Sequence, residues 1–525
     1  LRGKLSQLGS VEVIARGSSM SYQHTAKTQQ QIARELGARY LLTATVEWQP
    51  GAAGANGVNG ARRLRVTPEL VEVWSGRAPT TRWQQPFDAT LTDVFQVQAD
   101  IAQKVATALG VALGDSARRA LAAKPTANLA AYDAFLKGEA LFDAADPPTI
   151  RRAIGYYEQA VALDSAFLSA WARLAKSRSM LYGLSAPTPA LAAAARVATD
   201  RARALGPSRP ESYRALGGYE SYVVGDNGQA FAAYDAGLRL APHDAELLRG
   251  AGGAEEALGR WDAALQHSAE AARLDPRSAV AARSYTQVLL RMRRYPEAEA
   301  AFARLVALAP TNPITIMYGA MLALAQGDVG RAEARVRAGL AAGIDSTALF
   351  AFLANFQDLY WVLDHAQQQR TLALPPAAFD DDRAVWAIVR AELYQMQGDS
   401  TLMRAWADTA RAALMGQLAA TPDDGQRRAF LGLMLAYLGQ KAEAIAEGER
   451  AVALVPVSRD AVLGPYVQHQ LVRIHLALGE PEPALDRLEP LLKQPYYLSP
   501  GWLRVDPTFA PLRGNPRFER LAAGK

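Results

Sequence analysis

The chain has 525 residues, half of them hydrophobic and 21% charged, a composition that folds and a length too great for one core, so two or more domains are expected. Its net charge of +5 is the small excess of 57 basic over 52 acidic residues with no basic block, which excludes the electrostatic footprint of a nucleic-acid-binding arm. The absence of cysteine excludes a disulfide framework and thiolate chemistry while leaving the compartment open, and no apolar run approaches the roughly 18 residues needed to span a bilayer.

In chain order, the opening residues LRGKLSQLGS lack the pattern of a secretory signal. The stretch 1–115 then reads as a small α/β domain. Strands are predicted over VEVIAR (11–16), YLLTATVEW (40–48), RLRVTPELVEV (63–73) and TTRWQQPF (80–87), and amphipathic helices over 27–37 and 92–113. The segment GAAGANGVNG (51–60) has neither the Gly-Lys-Ser/Thr ending of a phosphate cradle nor a helix after it; it reads as a flexible hairpin loop between two strands. Residues 116–127 read as a linker.

From 128 to 495 the texture turns alanine-rich and repetitive. AFAAYDAGLRLAP, ALQHSAEAARLDP and AEAAFARLVALAP end on Pro242, Pro276 and Pro310, which are equally spaced along the chain. Within them Ala230, Tyr234 and Gly237, then Ala264, Ser268 and Ala271, then Ala298, Phe302 and Leu305 keep offsets of four and three, one face of a helix that the proline then stops. Each is preceded by another helix, YRALGGY from Tyr213, LRGAGG from Leu248 and ARSYTQ from Ala282, with Ala251 and Gly252 small enough for close approach. Each unit is therefore a helical hairpin. Further copies occur at 431–456, with Leu431, Gly432, Ala444, Ala451 and Pro456 in phase, at 131–164 after a longer turn and at 313–344 (Ala332 kept, the proline lost), with looser ones around 171–183 and 370–386, giving about nine or ten hairpins that bury a shared core only by stacking.

These residues resemble the tetratricopeptide repeat, so the expected fold is mainly α, a solenoid of helical hairpins preceded by the small α/β domain. The phrases IARGSSM, IARELGARYLLTATV and RWQQPFDATLTDVFQVQADIA of residues 1–115 resemble the TolB-like domain that precedes such arrays in bacterial signalling proteins, and WLRVDPTFAPLRGNPRFERL (502–521) resembles the same family's ending. Physically, residues 496–525 read as a cap, with Asp506-Pro507 and Asn515-Pro516 starting short helices and Phe509, Leu512 and Phe518 covering the last hairpin. The resemblance implies a first strand and most of a first helix ahead of Leu1. It further implies a Ser/Thr protein kinase domain and one transmembrane helix upstream, which would make this chain an extracytoplasmic, periplasmic-side module attached to the membrane through that segment; a cytoplasmic adaptor is the alternative.

No catalytic or metal motif can be assembled. The histidines His24, His243, His267, His365, His469 and His475 form no HExxH pair, and neither G-x-S-x-G nor the HRD and DFG sequences of a kinase occur. FDDDR (379–383) reads as a solvated acidic turn and FAFLANFQDLYWVLDH (350–365) as inter-helix core. The resemblance implies that the first helices of the hairpins line a groove, with Arg214, Arg249 and Arg283 pointing into it, joined by Gln287 and Arg291. Guanidinium groups take carboxylates bidentately, so an acidic peptide or free C-terminus is the expected ligand, unless neighbours such as Glu246 or Glu256 already pair with the arginines. The expected function is thus a non-catalytic scaffold or sensory module without a cofactor. A small-molecule sensor with an enclosed cavity is the alternative.

Overall fold

The computed structural model describes residues 2–5, 11–15, 18–19, 22, 25–49, 63–74, 77–90, 94–141, 147–185 and 187–524. The glycine-rich segment 51–60, His24 and Arg16 lie outside these. The chain forms two compact units, Leu1–Ala251 with Ala269–Ala281, and Gly252–Ser268 with Ala282–Lys525.

The first unit opens with an antiparallel sheet of β1 (Tyr40–Gln49), β2 (Arg63–Glu72), β3 (Thr80–Gln84) and β4 (Phe87–Thr90). β2 pairs with β1 along its whole length, and its other edge is shared: Glu69–Glu72 pair with β3 and Arg63–Val66 with β4. The single strand expected at 80–87 is divided because Pro86 has no N–H to give the ladder. Leu70 of β2 packs with Val97, Ile101 and Val105 of helix Val94–Ala108. Helix Gln29–Leu36 starts slightly later than its sequence suggests, at a capping box formed by Thr28 and Gln31.

Two sequence expectations are corrected here. Residues 11–15 are not a strand: the Ala15 N–H donates to the Leu274 carbonyl at 3.0 Å, while Val11 and Val13 lie against the sheet-and-helix core. Residues 116–127 are not a bare linker, because helix Asp115–Ala122 occupies most of them and Leu121 is buried in that core.

Hairpins of the first unit pair Leu129–Leu141 with Pro147–Leu163, Leu168–Leu184 with Pro189–Leu205, and Pro210–Tyr219 with Asn227–Leu240. The second unit contains Tyr295–Leu308, which packs on Pro313–Ala325, and the latter pairs with Val329–Ala341. After an irregular stretch (Ser346–Asn355, Leu359–Val362, His365–Leu372) come Arg383–Met396 with Ser400–Ala420, Gly425–Tyr437 with Lys441–Leu454, and Leu463–Ala477 with Pro481–Leu492. Helices Ala245–Ala257, Trp261–Leu274 and Ala279–Arg291 contribute residues to both units. The fold is an α-solenoid carrying a small α/β part.

The prolines act as the sequence implies. A residue before proline is driven out of the helical region, and Ala241, Ala309 and Val455 cap their helices at φ −141°, −143° and −127°. Where the proline is missing, after Val329–Ala341, Gly343 ends the helix at φ +91°. Asp506 and Asn515 cap the short helices at 507–512 and 516–522, with Phe509, Leu512 and Phe518 buried. FDDDR serves as a helix start: Asp382 caps Arg383–Met396 after Asp380 and Asp381 adopt left-handed backbone.

Candidate functional site

In the first unit the first helices of successive hairpins meet through charge. Arg173, on Leu168–Leu184, reaches back to Glu139 on Leu129–Leu141 at 2.7 Å and forward, with both terminal nitrogens, to Glu246 at 2.8 and 2.9 Å. Lys176 adds a third cation contact to Glu246 at 2.8 Å, and Arg214 lies 3.2 Å from Asp244 and 3.8 Å from Glu246. Burial alone would raise the Glu246 carboxyl, but Arg173, Lys176 and Arg214 together hold it well below the usual carboxylate range. Burial pulls Lys176 down to about 8 against the attraction of Glu246, with Arg249 and Arg173 adding to the fall. Arg214 is thus already partnered.

In the second unit Arg291 meets Glu256 at 2.5 Å, and Gln287 donates to the same carboxylate at 3.3 Å while accepting from the Tyr318 hydroxyl. Arg283 is half-buried near enough to Tyr318 to oppose, with Arg291, the upward push that burial gives its hydroxyl. Of the five groove residues expected from sequence, Arg214, Gln287 and Arg291 are therefore engaged within the chain. Among the described residues Arg249 and Arg283 have no carboxylate at ion-pairing distance.

A third constellation went unnoticed in the sequence. Arg473, on Leu463–Ala477, donates to Glu392 at 2.7 Å, Tyr360 at 3.0 Å and Gln470 at 2.9 Å, and pairs with Asp358 at 3.1 Å. Gln470 donates to Asp358 at 2.8 Å, and Tyr466 lies 3.3 Å from the same carboxylate. Gln357 and Asp358 both have left-handed backbone, φ 62° and 54°, a conformation that non-glycine residues hold only when their surroundings impose it. One guanidinium here serves two carboxylates. Burial, reinforced by Asp358, outweighs Arg473 and pushes Glu392 up to about 7. Beside this network, buried His469 makes contact through Nδ1 with the Tyr497 hydroxyl at 3.1 Å and is stacked on Phe509, and burial drives it down to about 3.

Glu12, His243 and Glu270 offer ligand atoms within 4.8 Å of one another. Arg273 sits among them, 3.0 Å from Glu12 and with two bonds of 2.7 Å to Glu270, so a guanidinium already supplies the positive charge. The cluster fastens residues 11–15 to the end of Trp261–Leu274.

No protein-family model matches the chain. "Putative adenylate cyclase 3" of Rhizobium meliloti (strain 1021) is 30% identical over 117 residues, which are 22% of this chain and 18% of that protein, so the chain spans less than a fifth of this relative. Among solved structures, the human IFIT1 dimer with m7Gppp-AAAA matches with a TM-score of 0.38 and 15% identity over 69% of this chain and 78% of its own. Pseudomonas aeruginosa pilF matches with a TM-score of 0.30 and 16% identity over 47% and 97%. A tetratricopeptide repeat protein from Parabacteroides merdae ATCC 43184 does so with a TM-score of 0.30 and 13% identity over 57% and 97%.

Proposed function

We propose that this chain is a non-catalytic scaffold whose helical hairpins hold a protein or peptide partner, with Arg249 in the first unit and Arg283 in the second each accepting a carboxylate of that partner. The observation that carries this reading is the uneven pairing of the arginines. Arg214 and Arg291 are neutralised by Asp244, Glu246 and Glu256, whereas Arg249 and Arg283 keep guanidinium groups without an ion-pair partner among the described residues. A carboxylate brought to either is bound by two parallel hydrogen bonds, the strong geometry for this pair. The test is fluorescence anisotropy with labelled peptides ending in acidic residues, alongside their C-terminally amidated forms. Arg249→Glu and Arg283→Glu, made separately, are each expected to weaken binding by about tenfold or more with unchanged helicity. Affinity undiminished in both variants would sink the reading.

The resemblance of residues 1–115 to TolB-like domains supports a finer proposal: the chain is the extracytoplasmic sensory or docking region of a bacterial membrane Ser/Thr kinase. Sequencing the reading frame upstream of Leu1 tests it. A kinase domain followed by one apolar helix is the expected result, and a frame encoding neither overturns it.

A further inference from the structure

Three turns of the second unit occupy the same place in the repeat, the bend between the two helices of a hairpin, at Gly259, Arg293 and Gly327, equally spaced along the chain. All three have left-handed backbone, φ 72°, 58° and 80°. Glycine adopts this conformation without steric cost, and the corresponding turn of the first unit, one repeat before Gly259, also has glycine, Gly225 at φ 73°. Arg293 breaks the series. It keeps the strained backbone that the turn requires while carrying a side chain that the repeat does not call for.

That side chain has a defined task. Its guanidinium donates to the Leu498 carbonyl from Nε at 3.3 Å and from Nη2 at 3.0 Å. The neighbouring turns also meet later parts of the second unit. The Ala461 N–H donates to the Ala257 carbonyl at 2.7 Å, and Ala461 lies beside Gly259. Ser499 Oγ donates to the Ala325 carbonyl at 2.6 Å, and Gly501 lies so close that a Cβ there would stand 2.6 Å from the Ala325 oxygen and 2.8 Å from the Gly327 nitrogen. Helix Pro500–Val505 packs on Pro313–Ala325, whose residues Thr315 to Ala325 are all buried. The second unit therefore returns on itself, its turns at Arg293 and Gly327 touching its C-terminal segment and the turn at Gly259 touching the residues before Leu463–Ala477.

The two sides of that segment differ in chemistry. Toward the last hairpin it is aromatic and apolar: Phe509 stacks on His469, the Tyr496 and Tyr497 rings lie 6.2 and 6.1 Å from the same imidazole, and Leu512 and Phe518 are buried. Toward the row of turns the packing of Pro500–Val505 on Pro313–Ala325 is supplemented by hydrogen bonds to backbone carbonyls and by glycine contacts. The segment is covalently continuous with the last hairpin and shares its aromatic cluster, so the side toward the turns parts first.

We infer that residues 494–522 form a releasable strap that closes the second unit on itself, and that Arg293 is the residue fastening it. Released, the strap stays on the last hairpin and uncovers the Pro313–Ala325 helix. The inference is independent of any ligand, so its failure and that of the peptide-binding reading are separate results.

Hydrogen–deuterium exchange of the full chain, read by mass spectrometry, tests it. Arg293→Gly restores the repeat's own residue and relieves the left-handed strain, so a purely structural Arg293 predicts unchanged or slower exchange. The strap predicts the opposite: exchange about tenfold faster in 313–325 and 499–505, with 425–437 and the helical circular dichroism unchanged. Unchanged rates, or acceleration shared by 425–437, overturn it. Gly501→Leu, which forces a side chain against the Ala325 carbonyl, must accelerate the same two segments; if it does not, the strap is not what protects Pro313–Ala325 and the inference fails.

Discussion

Arg473→Met is expected to destabilise the second unit by about 3–5 kcal/mol, the cost of removing one partner from a buried ion pair and leaving the other uncompensated. Arg473 is 3% exposed and Glu392 1% exposed, so water cannot replace the lost guanidinium, and Asp358 loses its partner in the same step. Urea unfolding followed by amide exchange at 425–437, beside the network, reads the loss directly. A change below about 1 kcal/mol would show that the network contributes nothing beyond packing. Glu392→Gln should behave differently, because an amide oxygen still accepts from Arg473 while Asp358 retains the charge pair. It also supplies the pH test. With its carboxyl raised from 4.5 to about 7, the folded state binds the Glu392 proton more tightly than the unfolded chain does. Its contribution is therefore fully present below about pH 4.5 and is lost as pH rises through about 7, an effect on the order of 3 kcal/mol at most. The unmodified chain should lose stability over that window relative to Glu392→Gln; parallel pH profiles would refute the assignment.

The repeat was legible because its signals are local and recur. Pro242, Pro310 and Pro456 each end a helix through the residue before them, and the constant spacing of the units places Tyr234 and Phe302 on buried helix faces. Strands β1 and β2 were legible for the same reason, since alternation and β-branched residues act within a few neighbours. What escaped was decided at long range. Residues 11–15 have strand composition, yet the Ala15 N–H finds the carbonyl of Leu274, at the end of a helix far along the chain. The Arg473 network draws Asp358 from an irregular turn, Glu392 from one hairpin and Gln470 from another, so no window of sequence contains it. Its only local trace is HQLVRIHL (469–476), an arginine between two histidines in an otherwise apolar helix. That trace raised the question of zinc instead of a buried ion pair. The arginines expected to line a groove show the same divide: their helices were readable, whereas the carboxylates that neutralise Arg214 and Arg291 could only be named as candidates.

Tyr234 gives the sharpest test of how that repeat is held together, and its replacement by alanine should cost about 3–5 kcal/mol in the first unit. The ring is 7% exposed and lies against two glycines on first helices, one in its own hairpin and one in the next: a Cβ on Gly217 would stand 2.6 Å from it, and one on Gly250 2.5 Å. Phe302 faces Gly319 in the second unit in the same way, also at 2.6 Å. Large residue and glycine are therefore complementary partners, and the repeat keeps their combined volume more than either residue alone. Gly250→Val should then be destabilising by about 1–3 kcal/mol through overpacking, because the ring is fixed on both sides and cannot move aside. The two substitutions must also interact. In Tyr234→Ala with Gly250→Val the added methyl groups enter the space the ring has left, so the double variant should be more stable than the sum of the single losses by at least about 1 kcal/mol. Thermal unfolding of the three variants with the unmodified chain closes the cycle. Strict additivity would mean that the valine clashes with something other than Tyr234, and the contact between ring and glycine would not be what sets the spacing of these helices.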